Sequence, residues 1–124
     1  MKLVNFLTIT FTLLAILFTN LSAGANDYLA VAEKMPELKG GLANLYKNID
    51  YPADAVKAGV QGKVYLMVFV NESGSVDEVK VIKGIGKGCE EAAVKAVKKA
   101  SFSPGKAKGK DVKVKMAMAI EFKL

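Results

Sequence analysis

The chain predicts an α+β fold, a two-layer sandwich in which a three-stranded antiparallel sheet carries helices on one face. Three features point there. Residues Lys63 to Val70 are apolar in both phases, with Val64, Leu66, Val68 and Val70 on one side and Tyr65, Met67 and Phe69 on the other, as in a central strand. Cys89 to Ala100 sets Cys89, Ala92, Ala93, Ala96, Val97 and Ala100 on one helical face. Val112 to Leu124 alternates strictly: Val112, Val114, Met116, Met118, Ile120, Phe122 and Leu124 face a core, while Lys113, Lys115, Glu121 and Lys123 face out.

The 124 residues allow one domain and a leader. Lys2 precedes a mostly apolar run, Leu3 to Phe18, and Ala23 and Ala25 form an A-x-A-like site, so residues 1–25 read as a signal peptide whose removal leaves Asn26 first. An uncleaved signal anchor is the alternative. Asn5, Thr8, Thr10 and Thr12 dilute the run, which makes it short for a span of roughly 20 apolar residues. The rest of the chain is then expected in the periplasm, tied to the inner membrane if the leader stays. Residues 26–41, with Met35-Pro36 and Gly40-Gly41, read as a linker with a helical start around Leu29 to Lys34, and residues 42–124 as the domain.

Within the domain Leu42, Leu45, Tyr46 and Ile49 share one face of a short helix. Pro52 suits the first position of a second helix, Pro52 to Ala58, and Gly59 its left-handed stop. Asn71-Glu72-Ser73-Gly74 reads as a hairpin turn, from which Val76 to Ile82 returns as a strand. Glu90 and Glu91 open the next helix and Lys98 and Lys99 close it, the order that complements a helix dipole. Phe102-Ser103-Pro104 ends that helix, and Gly105 to Lys110 reads as a Lys-Gly loop.

Eighteen Lys plus Arg against twelve Asp plus Glu give a formal charge of +6, which favours solubility and acidic partners. No basic stripe carries interleaved aromatics, so nucleic-acid binding is not expected. One cysteine and no histidine exclude an intrachain disulfide and a zinc site of the usual Cys/His type. Without His, a Ser or Cys nucleophile lacks its commonest base, and the adjacent carboxylates Asp77-Glu78 and Glu90-Glu91 point apart. No catalytic residue, metal ligand or cofactor is expected, and the chain is not read as an enzyme. Gly84-Ile85-Gly86-Lys87-Gly88 lacks the Lys-Ser/Thr of a phosphate loop. Cys89 has the helix-start placement of a reactive thiol, but its phase with Ala92, Ala93 and Ala96 favours packing. Met116 and Met118 are in phase with Ile120 and Phe122, which favours core over an adaptable binding surface. Lys106, Lys108 and Lys110 read as a solvated face, with attraction of acidic peptides as the sharper alternative.

The succession Tyr51-Pro52, a short Ala-rich helix, Gly62-Lys63-Val64, the Gly74 turn, a second strand, a helix, Phe102-Ser103-Pro104 and a last strand ending Phe122-Lys123-Leu124 resembles the C-terminal domain of the TonB family. The resemblance implies the sheet order second strand, first strand, last strand, with Asp111 to Lys123 at an edge. It also implies a role, because the last strand of the family's domain holds short extended segments of outer-membrane transporters by strand addition, in which main-chain hydrogen bonds supply affinity. Carried to this chain, the peptide-binding edge is Val112, Lys113, Val114, Lys115, Met116, Ala117, Met118, Ala119 and Ile120. The implied partners are TonB-dependent outer-membrane transporters, and the implied function is energised transport across the outer membrane.

Three features depart from the family pattern. The leader's apolar run lacks the Ser and His through which the family's anchor couples to inner-membrane motor proteins, so those partners are not carried over. Residues 26–41 reach roughly 50 to 58 Å when fully extended, where the family has a long Pro-rich spacer. Lys47-Asn48-Ile49-Asp50-Tyr51-Pro52 replaces a Gln-Pro docking segment. Lys113, Lys115 and Lys123 also fit the lysines that blunt an exposed edge. The rival function is a stand-alone structural or assembly adaptor that pairs through the same edge with an envelope complex or with itself as a homodimer.

Overall fold

A computed structural model describes residues 28–124, and the expected leader, 1–25, lies outside the described residues. In chain order the elements are β1 (Glu37–Leu38), α1 (Gly41–Lys47), α2 (Ala53–Lys57), β2 (Gly62–Val70), β3 (Val76–Lys83), α3 (Cys89–Lys99), β4 (Phe102–Ser103), β5 (Gly105–Ala107), β6 (Lys110–Val112) and β7 (Val114–Phe122). Strands β3, β2 and β7 form an antiparallel sheet in that order, which is the α+β sandwich the sequence predicts with the strand order the family resemblance implies. No helix among the described residues is long and apolar enough to cross a membrane.

The central strand is set by its two apolar phases. Val64, Leu66, Val68 and Val70 are fully buried under the helices, while Tyr65, Met67 and Phe69 lie on the open face. Helix α3 turns Cys89, Ala93, Ala96 and Val97 to the sheet, and the small side chains at Cys89, Ala93 and Ala96 let its backbone approach closely. Leu45, Ala55, Phe102, Ile120 and Phe122 complete the core, each large apolar side chain contributing about 1.5–3 kcal/mol on burial. On α1, Leu45 is buried but Leu42 is exposed, so the apolar face is narrower than the spacing suggests. Pro52 caps α2 from an extended conformation, φ −60° and ψ 137°, one residue ahead of its expected place.

Strand β7 is shorter than the alternation from Val112 to Leu124. Its nine residues pair one for one with the nine of β2, from Gly62 opposite Phe122 to Val70 opposite Val114. Past Val70 the chain turns back at Asn71, which leaves Val112 and Lys113 without a partner in this sheet. Val112 pairs instead with Gly105. At the other end Leu124 extends beyond Gly62 and is 56% exposed rather than in the core.

Asn71 organises the β2–β3 turn. Its Oδ1 accepts from the N–H of Ser73 at 3.0 Å and of Ser75 at 3.1 Å, and its Nδ2 donates to Asp77 at 2.8 Å. Gly74, at φ 85°, meets the Phe102 carbonyl so closely that an added Cβ would lie 1.9 Å from that oxygen.

Two stretches without a periodic signal are ordered by backbone pairing. Gly105 to Lys110, expected as a loop, is a β-hairpin of β5 and β6 turning at Lys108-Gly109, whose φ values of 53° and 74° suit a type I′ turn. Residues 28–41 fall within the span expected to be a linker. Leu29 bonds to Lys113 and Lys115, Lys34 bonds to Lys106, and β1 pairs with β4. The expected helical start at Leu29 to Lys34 does not form, because these backbone groups bond across to other strands instead of along a helix.

Candidate functional site

The sheet has two edges, β3 and β7, and they differ as templates. β3 follows β2 through two register shifts, between Tyr65 and Leu66 and between Phe69 and Val70, which kink and twist a strand. β7 follows β2 over its whole length without a shift. A straight edge is the one an added strand can follow.

Alternate residues of an antiparallel strand send both backbone groups to the same side. The Lys115 N–H donates away from β2 to the Leu29 carbonyl at 3.0 Å, and the Glu121 N–H donates to the Tyr46 hydroxyl oxygen at 3.0 Å. The odd residues of β7 therefore point their backbone outward and the even ones hold β2. Between those two contacts, the N–H groups of Ala117 and Ala119 and the carbonyls of Lys115, Ala117 and Ala119 meet no described residue. Ala117 and Ala119 also place small exposed side chains on the open face, opposite Met67 and Tyr65. Met116 and Met118 are partly buried against the core.

Of the residues expected at the edge, Lys115, Met116, Ala117, Met118, Ala119 and Ile120 share this run. Val114 is buried at its start, while Val112 lies in β6 and Lys113 between the strands, its carbonyl taken by the Leu29 N–H at 2.9 Å. Leu29 is part of a strap that Tyr28 fastens across the sheet. The Tyr28 ring packs edge-on against Phe69 at 5.0 Å, its hydroxyl donates to Asp77 at 2.5 Å, and Lys113 Nζ stands 5.6 Å from its centroid. That hydroxyl is the main reason the Asp77 carboxyl is held below its usual range, with Asn71 second and the Lys113 charge adding to it. The strap and the Tyr46 hydroxyl are absent from the sequence-based site. Leu29 acts through its backbone and leaves no side-chain signal, whereas Tyr46, an aromatic with a polar tip at the margin of an apolar helix face, gave a weak one.

Other groups weighed from sequence take structural places. Cys89 is fully buried, and burial pushes its thiol pKa up, with the Glu90 charge adding. Tyr51 donates to the Val60 carbonyl, packs edge-on against Phe122 at 5.3 Å, and has its own pKa raised, first by burial and then by Cys89. Lys106 stands 3.9 Å from Asp111 across the β5–β6 hairpin. No group of three or more His, Cys, Asp or Glu that could hold a metal occurs among the described residues.

Among the described residues, the structure is thus a three-stranded antiparallel sheet with helices on one face and a last strand that follows its neighbour without a register shift. The family described as Gram-negative bacterial TonB protein C-terminal matches residues 47–124, and the chain belongs to that family. It is similar to Protein tonB2 of Pseudomonas aeruginosa, 43% identical over 76 residues; the match takes in 60% of this chain but spans only 28% of that protein's length. Among solved structures, a Helicobacter pylori TonB C-terminal domain is 26% identical, with a TM-score of 0.47, over 63% of this chain and 85% of that one. The Pseudomonas aeruginosa TonB C-terminal domain is 20% identical, with a TM-score of 0.49, over 82% of this chain and 91% of that one.

Proposed function

We propose that this protein is a periplasmic binding module that takes up extended peptide segments of TonB-dependent outer-membrane transporters by strand addition along β7, in the service of energised transport across the outer membrane. The observation that carries the reading is the run of outward backbone groups from the Lys115 carbonyl to the Ala119 carbonyl on an edge without register shifts. Membership of the TonB C-terminal family supports the class of partner, and the leader read at residues 1–25 supports the periplasmic placement. Main-chain bonds of this kind contribute about 0.5–1.5 kcal/mol each, so binding depends on backbone geometry more than on side chains.

The test is peptide titration against proline variants. Ala117→Pro and Ala119→Pro each remove an outward donor, a change that an edge strand tolerates. Each should weaken a transporter-derived peptide by about tenfold or more, equivalent to about 1.4 kcal/mol, while a cooperative melt is kept. Met118→Pro removes a bond to β2 and should destabilise the domain itself. Lys115→Pro probes the strap, because that N–H already meets Leu29. Unchanged affinity in folded Ala117→Pro and Ala119→Pro variants would refute binding at this edge.

A further inference from the structure

The open run on β7 is closed at both ends by groups of the same chain. We infer that Leu29 and the Tyr46 hydroxyl set the footprint of this edge, confining strand addition to a segment of about five residues and keeping β7 of one copy from pairing with β7 of another. The first half rests on the strand-addition reading above; the second stands on geometry alone.

Leu29 occupies the Lys113 carbonyl and the Lys115 N–H, and Tyr46 occupies the Glu121 N–H. An incoming strand parallel to β7 meets the remaining groups with residues opposite Met116, Met118 and Ile120. An antiparallel one meets them with residues opposite Lys115, Ala117 and Ala119. Both cases need a segment of about five residues, since alternate residues face the edge. A longer segment must displace Leu29, which the Tyr28 contacts with Phe69 and Asp77 hold down, or the Tyr46 ring carried on α1.

The same guards act against self-pairing, for which the edge is otherwise complementary. An antiparallel register centred on Met118 sets Lys115 of one copy opposite Glu121 of the other, twice, and Ala117 opposite Ala119. Opposite charges facing one another across strands are favourable, and small side chains offer no clash. In that register, however, Leu29 stands where Glu121 of the other copy must approach, and Tyr46 of that copy stands where Lys115 must. A long strand is refused at both ends and a short one is admitted between them.

The experiment uses the full-length protein and a Tyr28→Ala/Tyr46→Ala variant, which loosens the strap and removes the Tyr46 ring with its hydroxyl without altering β7; thermal melts verify that both are folded. By analytical ultracentrifugation the parent should be monomeric and the variant should dimerise with rising concentration. Adding Lys115→Glu or Glu121→Lys to the variant should abolish its dimer, and mixing those two proteins should restore one, since each then meets its opposite charge in the Met118-centred register. In a titration of transporter-derived peptides of increasing length, the parent's affinity should stop rising at about five residues and the variant's should continue to rise. A variant that stays monomeric, or a dimer that mixing fails to restore, overturns the guard against self-pairing. An identical plateau in parent and variant overturns the footprint. Absence of peptide binding at every length, with the mixed dimer restored, refutes the proposed ligand and leaves the guard in place.

Discussion

Replacing Gly74 by alanine would bring two separable costs. Gly74 sits at φ 85°, and holding an L-residue in the left-handed region costs about 1–2 kcal/mol. The new Cβ would also lie 1.9 Å from the Phe102 carbonyl oxygen and 3.0 Å from its carbon. Both are backbone atoms, which cannot swing aside as a side-chain tip can. Relief requires the β2–β3 turn to move away from β4, which loosens the 2.9 Å bond from the Phe102 N–H to the Gly74 carbonyl beside a fully buried Phe102 ring. An interior N–H left unmet costs about 1–3 kcal/mol. The expected total is about 2–5 kcal/mol, a large part of the 5–15 kcal/mol typical of a domain. Gly109 supplies the control: its φ is 74°, but an added Cβ there meets nothing within 4 Å, so Gly109→Ala should carry only the conformational cost. Urea denaturation of both variants, with unchanged m, should give a larger loss for Gly74→Ala, by about 1–3 kcal/mol. Equal losses would refute the claim that the Gly74–Phe102 contact fixes the turn.

Cys89 should react slowly with a thiol reagent in the native protein, because burial and the Glu90 charge keep the thiol protonated, and Cys89→Ala should cost about 1 kcal/mol without changing peptide affinity; rapid labelling would contradict this. Asp77 has a folded pKa below its unfolded one, so its contribution to holding Tyr28 is present above the ordinary aspartate value of about 4 and is lost as pH falls through the folded pKa. Ring NMR shifts of Tyr28 and Phe69 should therefore report a loosening strap below about pH 4, and Asp77→Asn should abolish that step; a step that persists in Asp77→Asn would assign it to another group.

The legible parts of the fold were those with a side-chain period. Two apolar phases marked β2 as central, the Cys89 and alanine stripe marked the face of α3, and Asn71 to Gly74 marked the turn. The resemblance supplied the strand order. The parts without such a period are held by backbone groups. Leu29 and Lys34 bond through the main chain at single bridges, which no hydrophobic pattern announces. The β5–β6 turn uses Lys108-Gly109 where Asn-Gly is the usual signal. The true extent of β7 followed from the length of its partner β2, which the alternation from Val112 to Leu124 does not encode. The candidate edge was read on the last strand from the family resemblance, while Leu29 and Tyr46, the groups that bracket that strand, were visible only in three dimensions.

Amide hydrogen exchange at β7, with and without a transporter-derived peptide, tests the edge most directly. In the free protein the Ala117 and Ala119 amides should exchange quickly while Met116, Met118 and Ile120, bonded to β2, exchange slowly. Peptide should protect Ala117 and Ala119 and leave the even residues as they were. Bound peptide that leaves Ala117 and Ala119 unprotected, or that protects β3 instead, would contradict strand addition along β7.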